Sequence, residues 1–180
     1  MKIFIGCSSS NEISEEYKIV TKYLASELSK DNDLVFGCED RGLMGICYRE
    51  FLNNKRHITG ICYEMYKDDL EGLNIDKLCM VKTLEESTKT LEEESELILI
   101  LPGSFGTLSE FMYILESKRT SIHNKDIILF NINGFYDDLI DMFNKINTKV
   151  SKDYDASKLC TILNSVDDIV NYVNTKKSSN

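Results

Sequence analysis

Leu97-Ile98-Leu99-Ile100-Leu101-Pro102-Gly103-Ser104-Phe105-Gly106-Thr107-Leu108-Ser109-Glu110 is an apolar run that stops at the chain's only proline and continues as a glycine loop with hydroxyls. Five unbroken apolar residues read as a strand buried on both faces. Proline ends it, because it brings no N–H to the ladder. Gly103 and Gly106 have no Cβ, so their backbone can approach a phosphate, and the helix that starts here adds partial positive charge. Glu110 enters that helix near whatever the loop anchors.

The same rhythm of strand, loop and helix extends outward in both directions. Residues 2–7 predict a strand leading into Ser8-Ser9-Ser10-Asn11, and Tyr17, Val20, Leu24 and Leu28 set one apolar face on a helix over 14–30. Leu34-Val35-Phe36 is a short strand, and after a loop a helix runs from near Leu43 to about Asn53. Ile58–Cys62 and Leu78–Val81 predict two more strands, separated by an irregular acidic stretch, 63–75, that reads as a mobile flap. Thr83 and Glu86 have the spacing of a capping box, opening a helix over 84–94. Next come a helix over 107–119, a strand at 127–130, and a helix near 135–147 burying Phe135, Leu139, Phe143 and Ile146. An edge strand within 159–163 precedes a last helix, capped by Ser165 and Asp168 and ending at Asn174.

Such alternation predicts one α/β domain over residues 1–175, a doubly wound, mainly parallel sheet with helices on both faces, and a disordered tail at 176–180. Ligands of these sheets bind at the carboxyl ends of the strands, near the topological switch point. Three loops there stand out: Gly6–Asn11, Gly37–Gly45 and Pro102–Glu110, each with glycines, hydroxyls or both before a helix. Together they suggest a nucleotide-sized site.

Composition narrows the partners. With 42% apolar and 28% charged residues among 180, the chain has the make-up of a globular domain. A net charge of −9 argues against non-specific binding to nucleic acid or to an anionic membrane, both of which need a basic field. The six cysteines are scattered without any CxxC, as small buried residues of a reducing cytosol would be. They and the distant His57 and His123 make no metal motif, so neither metal nor organic cofactor is expected. Met1–Gly6 enters a strand too soon for a signal peptide, and no run reaches the ~18 apolar residues of a membrane span. The expected compartment is the cytoplasm.

Gly42-Leu43-Met44-Gly45 and Pro102-Gly103-Ser104-Phe105-Gly106-Thr107-x-x-Glu110 together resemble the LOG (Lonely Guy) family, long labelled lysine decarboxylases, with its PGGxGTxxE signature. The likeness continues through Ile122-His123-Asn124-Lys125 and Asn133-Gly134-Phe135-Tyr136-Asp137-Asp138-Leu139. It implies a Rossmann-like homodimer that hydrolyses the N-glycosidic bond of N6-modified adenosine or other purine 5′-monophosphates, giving free base and ribose 5-phosphate. By resemblance Gly103, Ser104, Phe105, Gly106 and Thr107 hold the 5′-phosphate, and Glu110 is the catalytic glutamate. Gly42, Met44 and Gly45 would pack beneath the site, and as glycine-loop residues they equally suit helix-start packing. Ser8 and Ser9 would face base or phosphate, or are simply polar loop. For Glu110 the plain reading is a first-turn acid favoured by the helix dipole. Decarboxylation is rejected, since no lysine sits in a pyridoxal phosphate motif.

The chain also departs from the family pattern. Counting back from Pro102, Ser87 stands where the family's catalytic arginine is expected and Thr88 where its lysine is, with Glu86 the one match in that segment. Arg41, Lys89 and Arg119 are the cations that could substitute. Ser104 replaces a glycine and would be strained if its φ were positive. The alternative reading is therefore a catalytically weak binding protein on the same scaffold, holding a nucleotide or a phosphorylated ligand such as the molybdenum cofactor.

Overall fold

The computed structural model describes residues 1–152 and 155–178. Seven parallel strands form one sheet: β1 (Lys2–Gly6), β2 (Asp33–Phe36), β3 (Ile58–Tyr63), β4 (Lys77–Val81), β5 (Leu97–Ile100), β6 (Asp126–Phe130) and β7 (Thr161–Leu163), in the order β4-β3-β2-β1-β5-β6-β7. The chain winds outward from β1 to β4, then crosses back to pair β5 with β1, Ile3 opposite Leu97 and Gly6 opposite Ile100. The switch point therefore lies between β1 and β5. The architecture is the Rossmann-like, doubly wound α/β class that the sequence predicts.

Period-two alternation sends successive strand residues to opposite faces. Ile3, Ile5, Leu34, Phe36, Leu97 and Leu99 pack under helices α1 (Glu15–Leu28), α2 (Gly42–Asn53) and α6 (Val166–Ser178). Phe4, Val35, Ile98 and Ile100 pack under α3 (Leu84–Glu94), α4 (Phe105–Arg119) and α5 (Asp137–Lys149). Both faces are covered, which explains why the strands read as unbroken apolar runs.

Three expectations are corrected. The final helix does not stop at Asn174 but runs to Ser178, held by Lys176 on Asp126 at 2.8 Å and Lys177 on Asp31 at 2.9 Å. The expected disordered tail is thus helix through 178, and 179–180 lie outside the described residues. Phe135 precedes its helix and is 39% exposed, while Phe143 is the buried anchor of α5. Within 63–75, residues Glu64–Leu70 form a kinked 3-10 segment rather than an irregular flap.

Candidate functional site

The loops after β1, β2 and β5 meet at the switch point because backbone hydrogen bonds tie them together. Ser8 N–H donates to the Pro102 carbonyl at 3.0 Å, and Leu101 N–H to the Gly6 carbonyl at 2.8 Å. The Ser8 carbonyl in turn accepts from Leu43 N–H at 2.9 Å and Met44 N–H at 3.2 Å, while Asn11 Oδ1 accepts from Gly42 N–H at 3.0 Å. Ser8 is buried and Ser9 faces the solvent side of the same loop.

These bonds make the two glycine-loop helices different. A helix begins with N–H groups that lack intrahelical partners. In α2 the amides of Gly42, Leu43 and Met44 are all consumed by the β1 loop. In α4 the first residue follows Ser104, which makes no capping hydrogen bond, and no acid occupies the first turn. Of these two helices, α4 is the one whose amino end is left open to an anion.

Glycine geometry agrees. A Cβ on Gly42 would strike the Ser8–Ser10 backbone at 2.7 Å, at φ +57°, and one on Gly45 would overlap the Asp40 backbone. Both glycines serve packing between loops. Gly103 has no room for a Cβ because the buried Thr107 side chain lies against it, whereas nothing approaches Gly106 within 4 Å. Ser104 has φ −98° and ψ −156°, extended backbone that any residue adopts, so its replacement of glycine costs no strain. Phe105 is 90% exposed at the helix start.

Glu110 follows Thr107 by three residues, about 4.5 Å along the helix axis. Burial lifts its carboxyl from the ordinary range to about 7, and among the described residues no cation pulls it down. That absence has a visible origin. Ser87 is buried at the place of the expected arginine, and its side chain meets the hydroxyl of Tyr63, at the carboxyl end of β3. The Tyr63 phenol is raised mainly by burial and also by the nearby Glu110 carboxylate. Thr88, where the lysine is expected, is buried and turns its hydroxyl onto the Leu84 carbonyl at 3.1 Å. Of the three candidate cations, Lys89 pairs with Glu93 at 3.7 Å and Arg119 with Glu116 at 2.6 Å at the far end of α4. Arg41 alone borders the loops.

Glu86 forms the capping box of α3: its N–H donates to Thr83 Oγ1 at 3.1 Å, and its carboxylate accepts from Lys82 N–H at 2.8 Å. Its side chain is thereby committed to the helix start and is exposed. Met44 joins Ser9, Gly37, Cys38, Glu39, Arg41, Cys62, Tyr63 and Tyr66 around a cavity of about 290 Å³ beyond β2 and β3. Cys38 holds a left-handed φ of 61°, and its sulfur lies directly over Gly60 on the neighbouring strand. Sequence reasoning missed Tyr63, Cys38 and Glu39, whose convergence depends on the β2–β3 register (Phe36 opposite Gly60) rather than on any local motif.

An uncapped helix start and a raised carboxyl stand at the switch point of a doubly wound sheet, with a cavity at the ends of β2 and β3 beside them. Residues 44–173 match the family described as "Possible lysine decarboxylase", and the chain belongs to that family, the LOG family of its sequence motifs. Its relatives include cytokinin riboside 5′-monophosphate phosphoribohydrolases LOG1 and LOG2 of Arabidopsis thaliana, 29% and 30% identical over 145 residues, each covering 79% of this chain and 67% of the relative. Among solved structures, the molybdenum cofactor carrier protein of Chlamydomonas reinhardtii superposes with a TM-score of 0.71 at 12% identity, over 99% of this chain and 98% of that one. The molybdenum cofactor binding protein of Rippkaea orientalis gives 0.69 at 15% identity, over 97% and 95%. At those identities the likeness is one of fold.

Proposed function

We propose that the protein hydrolyses the N-glycosidic bond of purine nucleoside 5′-monophosphates, N6-modified adenosine monophosphates included, to free base and ribose 5-phosphate. The observation that carries this is Glu110, with a carboxyl near 7, one turn beyond Thr107 in the helix that starts uncapped after the β5 loop. The 5′-phosphate takes the Phe105–Thr107 amides, with Gly106 leaving space for its approach. Ribose then lies toward Glu110, with C1′ beside the carboxylate. As the C1′–N bond breaks, its electron pair leaves with the base, and positive charge grows on the ribose ring. Ionised Glu110 stabilises that charge and takes a proton from the water whose oxygen adds to C1′. The leaving base takes its proton from the Tyr63 hydroxyl, which is reprotonated by the proton that Glu110 took from water, so the net reaction adds one water across the C1′–N bond. The relatives' named activity supports the same reaction.

The test is chromatographic detection of free base from a panel of nucleoside 5′-monophosphates, beside Glu110→Ala. Base release that disappears in the variant upholds the reading, and unchanged turnover removes Glu110 from the mechanism. A carrier or binding protein for a phosphorylated ligand is the second reading, favoured by Ser87 in the arginine's place. It predicts stabilisation by the same nucleotides with no base released.

A further inference from the structure

Two thiols, Cys38 and Cys62, line the cavity at the ends of β2 and β3, and both are otherwise buried. The β2–β3 register pairs Phe36 with Gly60, so two residues further along Cys38 comes opposite Cys62. Residues paired across adjacent strands stand about 4.8 Å apart, within the Cα separation of about 4.4–6.8 Å that a disulfide spans. Cys38 lies just past β2 with a left-handed φ of 61°, and its sulfur rests on Gly60, where a Cβ would leave it no room. Gly60 and Cys62 share one face of β3, so that sulfur lies on the Cys62 side of the sheet. Burial, and then the neighbouring thiols, Cys62 foremost, hold the Cys38 thiol well above the ordinary range. Cys79 packs on the opposite face of the sheet, and Cys7 and Cys47 line no part of this cavity.

We propose that Cys38 and Cys62 form a redox-sensitive pair that closes to a disulfide under peroxide and thereby slows the reaction at the neighbouring site. A thiolate of the pair attacks one peroxide oxygen, the O–O bond breaks, and the other oxygen leaves as water, so that a sulfenic acid remains. The second sulfur attacks the sulfenic sulfur and expels its oxygen as another water. Peroxide gains two electrons, the sulfurs lose two, and both thiol protons end in water. Since the thiolate is the attacking form, the raised Cys38 thiol keeps the pair reduced through brief exposure. Joining the sulfurs withdraws the Cys62 thiol from the Tyr63 carbonyl, which it meets at 3.3 Å. Tyr63 is the next residue of β3, and its phenol meets Ser87 and neighbours Glu110, so the bridge reaches the proton donor of the proposed reaction. The effect on rate rests on the phosphoribohydrolase reading; the bond itself does not.

The experiment treats the reduced whole chain with hydrogen peroxide, maps linked peptides by mass spectrometry without reduction, and measures base release before and after. The expected main product is a Cys38–Cys62 peptide, absent in Cys62→Ser and retained in Cys47→Ser and Cys79→Ser. Base release from AMP is expected to fall at least about fivefold on oxidation. It should return with dithiothreitol, which does not reverse oxidation of Met44 in the same cavity wall. No link between these two cysteines, or a link that leaves the rate unchanged, overturns the proposal while leaving the hydrolase reading intact. If the reduced protein releases no base, the hydrolase reading fails and the peptide map decides alone: the Cys38–Cys62 bond upholds the redox pair, and its absence refutes it.

Discussion

The side chain of Thr107 occupies the space that a Cβ on Gly103 would need, so the loop after β5 closes on its own helix. Four residues apart, the pair fixes the turn that leaves the α4 amides pointing out of the fold. Gly103→Ala must displace Thr107 or the loop. It is expected to cost about 1–3 kcal/mol, read as a lower midpoint in denaturant.

Gly106 gives the contrasting case. With open space around it, alanine there is accepted and gains helix propensity, stabilising the fold by roughly 0.5–1 kcal/mol. The same methyl stands over the open amides. Ligand-free stability should rise in thermal melts while stabilisation by ribose 5-phosphate falls.

Glu110 gives a pH dependence of stability with a definite sign. Its folded carboxyl titrates near 7, above the value of 4.5 for a free side chain. Between those values the folded state holds the extra proton, so this group's contribution to stability falls as pH rises from about 4.5 to 7 and stays unfavourable above. Glu110→Gln removes that penalty. The variant should exceed wild type by on the order of 2 kcal/mol at pH 8 and approach it at pH 5, measured by denaturant unfolding at both.

Catalysis should follow the opposite trend. If ionised Glu110 does the chemistry, kcat/KM for base release rises with pH through about 7 and levels off above. A rate–pH profile from 5 to 9 checks it. A flat profile across that range would assign the chemistry to another group.

Away from the site, Glu92 is buried on α3, with Lys125 Nζ 2.6 Å from its Oε1 and also on the Glu92 carbonyl. Lys125→Met leaves that carboxylate enclosed without its partner. The expected loss is about 3 kcal/mol, visible in denaturant unfolding, with the Glu110-dependent pH profile unmoved.

Much of this was readable before any fold was known, and the limits have a common cause. The runs 2–7 and 97–101, the capping box of Thr83 and Glu86, and the Ser165–Asp168 cap are local, and each forms as its residues predict, Asp168 N–H reaching Ser165 Oγ at 3.1 Å. Glu110 is likewise singled out as a candidate by the loop before it. What could not be read was decided between distant segments. Whether α2 or α4 keeps its amides free depends on the Ser8 carbonyl and Asn11, over thirty residues from Gly42. Tyr63 stands in for no motif, and meets Ser87 only because β3 and α3 fold together. Lys176 and Lys177 fall in the stretch expected to be a disordered tail, yet their partners Asp126 and Asp31 hold them in the helix.

The pairing of β1 with β5 has a consequence in time as well as in space. Ile3 and Phe4 gain their second neighbours only when Leu97 and Ile98 arrive, so the sheet's middle is its least local contact. Loop closure of that length is a slow element of folding. Until it happens, β1 is an apolar edge open to other chains, and the Ser8–Pro102 bond does not exist. The loop arrangement at the switch point thus depends on the least local pairing of the sheet.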